Sequence, residues 1–465
     1  MTPEWGREYV REVCDAIWDV ETEFDLLNWR VIGVHPWPLL RMPIYYAITQ
    51  QLGFFGDPHP AKAEADEGFD APAAAQDVWR SLLVRERRSS GGRTFWMRWL
   101  PGLGRDVLVT HSRKLGGIDV YTQAVVAQLG KNSLVVDRTP AEVPAGLDLR
   151  SILELNRKWM KSVETPSVSA ADVERFAQVI AALESRLGVN LQEFVAVFEN
   201  RVRLLSRQST SYARFFKLAK TKRLIVTDSY FSVALMAGAR AAGVHIIELQ
   251  HGFISRYHLG YSYPRGQASP YMADELWTFG QYWIDETPLP ANIKTRVIGA
   301  PYVEALAAAN TEQNTAHRIV FTSQGAIGEQ LLPLALEAAL AMPHKHIIFR
   351  LHPSESLADF EAKLNQLGEI PANFELNART PNIFALLASA ETQVGVFSTT
   401  LLEGMALGCK TAILALPGFE YLQLVVESGD ASIARNADEL VEAIESAATC
   451  ANPQYYYAKP TKRLL

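Results

Sequence analysis

The feature that most restricts how this chain can fold is the alternation from Ile319 to Leu414. Short apolar stretches of strand character fall at Ile319–Thr322, His346–Leu351, Asn373–Leu376, Gln393–Phe397 and Thr411–Leu414, with helical spacing between them. Strands that alternate with helices of roughly ten residues predict a parallel sheet, because only a crossover helix can return the chain to the same sheet end. The same logic appears earlier. Strand signals at Asp106–His111 and Ser133–Asp137 flank a helical stretch at Tyr121–Leu129, and Arg223–Thr227 and Val244–Leu249 flank a helix at Ser232–Ala242. At 465 residues the chain exceeds one ordinary core. We therefore expect an α/β protein with two doubly wound domains. The expected division is 1–285, with helical insertions, and 286–450, with the tail 451–465 crossing back onto the first domain. Pro288, Pro290 and the Ile298-Gly-Ala-Pro301 step predict a linker near 285–300. Residues 151–220 read as helical throughout, and 57–77, rich in Ala, Asp and Pro, as a mobile loop.

Doubly wound sheets bind ligands at the carboxyl ends of their strands, so chemistry is sought there. The stretch His346-Ile-Ile-Phe-Arg-Leu-His-Pro-Ser-Glu355 is a strand that runs into a His-Pro step. Pro353 ends the strand and fixes φ, which orients His352 at its tip. Arg350 lies two residues earlier, hence on the same strand face. His-Pro also occurs at His35 and His59, so the dipeptide gains meaning only from its place after a strand. The stretch Gln393-Val-Gly-Val-Phe-Ser-Thr-Thr-Leu-Leu-Glu403 is a strand that ends in hydroxyls and opens a helix. Thr400 and Glu403 have capping-box spacing, which is a structural role. A helix N-terminus at a sheet edge also suits an anion, and Ser398, Thr399 and Thr400 would line it, with Glu403 placed to hold a ribose. Ser323-Gln-Gly-Ala-Ile-Gly328 ends the first strand of the series, so Ser323 and Gln324 join this candidate phosphate cradle.

In the first half, Ile247-Glu-Leu-Gln-His-Gly-Phe253 ends a strand in a glycine turn, placing Glu248, Gln250 and His251 at the rim. His251 has the unperturbed proton affinity of a general base. Asp228 ends the neighbouring strand, where it could cap the next helix, orient His251, act as base or attack as nucleophile. His111 and Arg113 follow an earlier strand and could meet an anionic acceptor, as could Arg41. Trp29, Trp37, Trp96 and Trp99 suit a core or a membrane-facing patch.

Net charge is −6, which argues against nucleic acid as the main partner. Cys14, Cys409 and Cys450 are too few and too dispersed for a disulfide framework or a zinc site and fit a cytoplasmic setting. Neither a signal peptide nor a bilayer-spanning run is expected. Basic stretches at Arg85–Arg98 and Lys459–Arg463 read as solvated surface, and a peripheral membrane role stays open. No Asp-x-Asp pair, P-loop, Gly-x-Ser-x-Gly or His-Glu-x-x-His occurs, so no metal is expected. The first βα turn also lacks the glycine fingerprint of dinucleotide oxidoreductases.

Gln250-His-Gly252, Arg350-Leu-His-Pro353 and Ser398-Thr-Thr-Leu-Leu-Glu403 together resemble the motifs of bacterial envelope-polysaccharide glycosyltransferases of the GT-B type. The His-Pro and hydroxyl motifs look like those of CMP-sugar-dependent sialyl- and β-Kdo-transferases, with CDP-glycerol glycerophosphotransferases more distant. The resemblance covers roughly 220–420. It implies two Rossmann-like domains facing across a cleft and a nucleotide-sugar donor, CMP-linked, as substrate with no cofactor. It also implies a surface-glycan or glycolipid acceptor, at the inner membrane face or within a polysaccharide-assembly complex. By the same match His352, Ser398 and Thr399 would hold the nucleotide, His251 would match the base of the CDP-glycerol enzymes, and Asp228, then Glu248, would match the essential acid of the sialyl and Kdo enzymes. The chain lacks the Trp and Thr-Pro that flank His-Gly in the CDP-glycerol enzymes, which leaves a CDP-glycerol or CDP-ribitol phosphotransferase, or a UDP-sugar enzyme, as the alternatives.

Overall fold

The computed structural model describes residues 9–55, 105–111, 119–130, 133–138, 149, 152–153, 156–161, 163–309, 317–325, 327–378 and 382–465. The expected loop at 57–77, the basic stretch Arg85–Arg98, Trp96, Trp99 and Arg113 lie outside them.

Two parallel six-stranded sheets organise the chain. The first contains β1 (Arg105–Val109), β2 (Leu134–Val136), β3 (Thr221–Val226), β4 (His245–Leu249), β5 (Glu275–Thr278) and β6 (Lys294–Val297), in the order β2-β1-β3-β4-β5-β6. The second contains β7 (Arg318–Thr322), β8 (His346–Arg350), β9 (Phe374–Asn377), β10 (Thr392–Gly395), β11 (Lys410–Leu414) and β12 (Ser432–Ala434), in the order β12-β11-β10-β7-β8-β9. All pairings are parallel. Read from its other edge, the second order is the 3-2-1-4-5-6 winding of a Rossmann sheet, which reverses direction between β7 and β10. The first sheet reverses between β1 and β3. Each reversal opens a crevice at the carboxyl ends of those two strands.

The central strands are apolar and buried on both faces, as parallel sheets require. Leu224, Ile225 and Val226 of β3 pair with Ile246, Ile247 and Glu248 of β4, and all six are buried. Flanking helices cover the faces. α1 (Tyr9–Glu23), α2 (Trp37–Gln51), α3 (Ala170–Leu187) and α4 (Gln192–Leu218) pack around the first sheet, with Trp29 and Trp37 in its core. Ser169 caps α3 by accepting from the Asp172 N–H, and Gly188 ends it in the left-handed region at φ +67°. α5 (Val233–Ala241) crosses α4 so closely that a Cβ on Gly238 would meet the Tyr212 Cβ at 2.5 Å. In the second sheet the helices are α6 (Gly328–Ala341), α7 (Leu357–Gln366), α8 (Ile383–Ala388), α9 (Thr399–Ala406) and α10 (Leu440–Ser446).

The carboxyl edges of the two sheets face each other. Phe253, just past β4, packs edge-on against Tyr421 at 6.0 Å between ring centroids, and Tyr421 meets Phe397, past β10, at 5.6 Å. Phe397 in turn touches Phe55 beyond α2 at 5.6 Å. Two Rossmann-like domains opposed in this way are the GT-B architecture. The tail leaves the second sheet and lies on the first: Tyr456 O accepts from Trp283 Nε1 at 2.7 Å, Ala458 N–H donates to Phe279 O at 2.8 Å and Leu464 N–H to Gln128 Oε1 at 2.8 Å. Gly280 makes room, since a Cβ there would collide with Tyr455 O and Tyr456 O.

Two expectations need correction, and two short strands have no counterpart among the expected ones. The stretch read as a linker at 285–300 contains β6, which pairs with β5, so the first sheet continues past residue 285. The strand is hidden in the sequence because Lys294 and Thr295 are exposed and the element is a polar edge strand. Residues 151–220 are not helical throughout, since 164–169 form no helix before α3 and Gly188 separates α3 from α4. Finally, β5 and β12, at four and three residues, are too short to leave a sequence pattern. Among the described residues no helix is long and apolar enough to cross a membrane.

Candidate functional site

The crevice of the first sheet gathers Asp228, His251, Glu248 and His111. Strand pairing brings them together: Val226 of β3 lies opposite Glu248 of β4, so Asp228 and His251 leave adjacent strand ends, and His111 follows β1 on the other side. The His111 and His251 rings lie 4.9 Å apart between centroids, and Tyr121 stands edge-on to His111 at 5.2 Å. One donor atom from each of His111, Asp228 and His251 lies within 4.8 Å of the others. The set could accept a cation, although the sequence motifs lead to no expectation of a metal.

Asp228 is buried, and its carboxylate makes an ion pair with Arg138, which follows β2. Arg138 Nη2 also donates to Ser232 Oγ at 2.8 Å. Asp228 does not cap the following turn with its side chain, so the capping role weighed for it is not the one it performs. Burial pushes its carboxyl up to about 6, with the Arg138 guanidinium pulling the other way. Glu248 is wholly buried. Its Oε1 accepts from Ser229 N–H at 3.0 Å and from Tyr261 Oη at 2.7 Å, while Oε2 has no partner. Burial raises it to about 7, and the hydrogen bonds only partly offset that. Burial thus raises two neighbouring acids toward neutrality, the kind of perturbation that marks a candidate functional site.

His251 departs from expectation. Burial first, and the His111 ring second, drive it down to about 3. A neutral imidazole this reluctant to take a proton is a poor general base. Gln250 does not face the crevice. Its Nε2 donates to Gly252 O at 2.9 Å and its Oε1 accepts from Phe279 N–H at 2.8 Å, so it locks the glycine turn. Arg41 is likewise internal: it pairs with Glu21 at 2.5 Å, donates to Leu259 O and Ser262 O, and lies over the Tyr263 ring. Sequence reasoning missed Arg138, Tyr121 and Tyr261. Arg138 carries a usable signal, being a charged residue just past a strand end.

Across the cleft, the crevice of the second sheet gathers the loops after β7, β8 and β10. Phe397 N–H donates to Gln324 Oε1 at 3.1 Å, which ties the β10 loop to the β7 loop. Ser323 Oγ donates to Glu355 Oε1 at 2.8 Å, and Glu355 Oε2 accepts from His352 N–H at 2.6 Å, which ties β7 to the His-Pro loop. A Cβ on Gly325 would meet Ser354 Oγ at 2.6 Å, so the glycine allows this approach. His352 and Pro353 are exposed, and His352 Nδ1 lies 2.7 Å from Ser354 Oγ. Glu355, not singled out from the sequence, is therefore the brace of the cradle.

The helix cap here is Ser398, whose Oγ accepts from Thr400 N–H at 3.2 Å. Thr400 is inside α9, so Thr400 and Glu403 form no capping box. Glu403 is buried and accepts from Tyr302 Oη at 2.7 Å, which removes it from ribose binding. Arg350 reaches sideways to Asn377 Oδ1 at 2.5 Å. His352, Pro353, Ser398 and Thr399 are not fully buried and, with the backbone amides at the start of α9, lie past the carboxyl ends of β8 and β10.

No family model matches the chain, and no curated protein matches it. Solved structures with a similar fold include the UDP-GlcNAc 2-epimerase of Methanocaldococcus jannaschii, at 11% identity and TM-score 0.45 over 77% of this chain and 97% of that one. The Neisseria meningitidis UDP-GlcNAc 2-epimerase bound to UDP-GlcNAc aligns at 12% and 0.44 over 74% and 90%. MurG of Acinetobacter baumannii aligns at 12% and 0.39 over 73% and 89%.

Proposed function

We propose that the chain is a GT-B glycosyltransferase that moves a sugar from a nucleotide-activated donor to a bacterial surface polysaccharide or lipopolysaccharide. The donor we propose is CMP-linked and carries an acidic 2-keto sugar such as Kdo or a sialic-acid relative. One observation supports the transferase reading: a buried Asp228, its carboxyl raised to about 6, follows a strand of the first sheet, while His352 and Ser398 follow strands of the second. The CMP assignment rests on the resemblance of the His-Pro and Ser-Thr motifs.

In this reading the second domain holds the nucleotide. His352 and Ser398 donate to the phosphate, and the amides at the start of α9 add fixed positive dipole ends, so the departing phosphate finds its charge stabilised by groups already in place. Glu355 keeps the β7 and β8 loops in register for that purpose. The first domain receives the acceptor. Asp228, ionised above about pH 6 and held by Arg138, either takes the acceptor hydroxyl proton or attacks the sugar carbon itself. Burial keeps a proton on Glu248 up to about pH 7, which limits repulsion between the two acids. Closure of the cleft excludes the water that would otherwise hydrolyse the donor. The reaction belongs in the cytoplasm, where nucleotide donors are made.

The test is a thermal-shift panel with CMP, CDP, UDP, UMP, GDP and ADP, repeated on Asp228→Asn. A ligand that binds only the folded chain raises its melting temperature by mass action. The expected result is a shift with CMP, retained in Asp228→Asn while turnover of a CMP-sugar falls by about 10²–10⁴-fold. A shift with CDP alone would move the proposal to a CDP-alcohol phosphotransferase, and one with UDP alone to a UDP-sugar enzyme. No shift with any nucleotide would overturn it.

A further inference from the structure

The three donors gathered at the first crevice fit a second use. We propose that His111, Asp228 and His251 form a binding site for a zinc-like transition-metal ion. Their ligand atoms lie within 4.8 Å of one another. In a tetrahedral zinc site, bonds of about 2.0–2.1 Å put neighbouring donors roughly 3.4 Å apart, so the side chains must draw inward by about an ångström. The movement required is rotation about their χ angles, with the strands that carry them in place.

The chemistry of the set favours such an ion over calcium or magnesium. Two imidazoles and one carboxylate are borderline ligands, whereas the hard cations take oxygen shells. His251 Nδ1 is buried with no hydrogen-bond partner. A buried, unsatisfied ring nitrogen is costly unless something occupies it, and a neutral imidazole is the ligand form. Asp119 accepts from the His111 backbone N–H at 2.7 Å and Asp137 from Thr110 Oγ1 at 2.9 Å, so the segment that carries His111 is anchored on both sides.

Arg138 opposes the ion. Its guanidinium pairs with the Asp228 carboxylate, so an incoming cation must share that carboxylate or displace Arg138. The site is thus one in which a cation and an internal guanidinium compete, and it fills only for an ion with strong imidazole affinity. The geometry holds whether or not the chain is a transferase. If it is, and this consequence alone rests on that reading, an ion seated here occupies Asp228 and stops turnover.

The experiment is calorimetric titration of the full chain with zinc chloride, with cobalt(II) absorption as a second readout and magnesium as control. The expected result is one saturable equivalent of zinc, undisturbed by millimolar magnesium. His111→Ala and His251→Ala, each checked for fold by circular dichroism, should weaken it at least tenfold. Arg138→Gln should tighten it, because the competing positive charge is gone; zinc held at surface histidines would not respond to that change. Absence of saturable binding, or an equivalent that survives unchanged in both histidine variants, overturns the proposal. Neither outcome depends on nucleotide binding, so failure of the thermal-shift panel and failure of the zinc titration are distinguishable. If both hold, added zinc should inhibit transfer, and a chelator should restore it.

Discussion

Glu248→Gln should make the protein more stable above pH 7 than the wild type, although it deletes a charged residue from a candidate active site. Glu248 is fully buried, and its carboxyl rises from the ordinary 4.5 to about 7 because burial penalises the charge more than Ser229 and Tyr261 support it. A raised acid binds its proton more tightly folded than unfolded. Its favourable contribution is therefore fully present below pH 4.5, where both states are protonated, and is lost as the pH climbs through the window between 4.5 and about 7. A change of that size corresponds to roughly 3 kcal/mol at 1.36 kcal/mol per unit. Glutamine keeps the acceptor for Ser229 N–H and Tyr261 Oη and leaves one buried N–H pair where the unpartnered Oε2 now stands, much as the protonated acid does. The two proteins should thus differ little at pH 4.5 and diverge by up to about 3 kcal/mol by pH 8. Chemical denaturation of both at half-unit steps from pH 4.5 to 8.5 gives the difference curve directly, with every other titrating group cancelling to first order. Parallel curves would mean that Glu248 is charged and solvated, and the picture of a protonated neighbour for Asp228 would go with it.

His352→Ala should weaken CMP binding at least tenfold, read as a smaller ligand-induced melting shift, while leaving the unliganded melting temperature unchanged, since the side chain is exposed. Gly238→Ala should destabilise by about 1–3 kcal/mol, because the added carbon meets the Tyr212 Cβ at 2.5 Å and Ser209 O at 2.8 Å where α4 and α5 cross; a neutral or stabilising result by denaturant unfolding would show that the helices can part. Glu391→Gln should destabilise by about 1 kcal/mol at pH 7, solvent screening reducing the effect, and by little near pH 2. The Lys345 ammonium, 2.7 Å away, holds that carboxyl down at about 2, so its contribution is present above 4.5 and lost as the pH falls through the folded value.

What can be read from the residues, and what cannot, divides along a physical line. Interior parallel strands are legible because burial on both faces forces continuous apolar runs, as at β4 and β8, and their ends fall within a residue or two of the expected positions. Edge strands lack that constraint. β6, with Lys294 and Thr295 exposed, has no apolar run to find, and its Pro-rich approach imitates a linker. Strand-end position also brings Asp228, Glu248, His251 and His352 out as candidates, since the winding of the sheet fixes where strand ends converge. Partners are beyond reach for the same reason in reverse. Arg138 meets Asp228 only because β1 lies between β2 and β3, a fact of strand order that neighbouring residues do not encode. Residue type alone also promises too much for Glu403 and Gln250. Both have chemistry suited to a ligand, and both spend it internally, on Tyr302 and on the Gly252 turn, because side chains at buried positions must satisfy themselves before anything else reaches them. His251 carries the same point into mechanism. An imidazole is a base at neutral pH only while its surroundings support the charged form; desolvation first and the neighbouring His111 ring second lower the proton affinity of His251, so residue type alone overstates its fitness as a base.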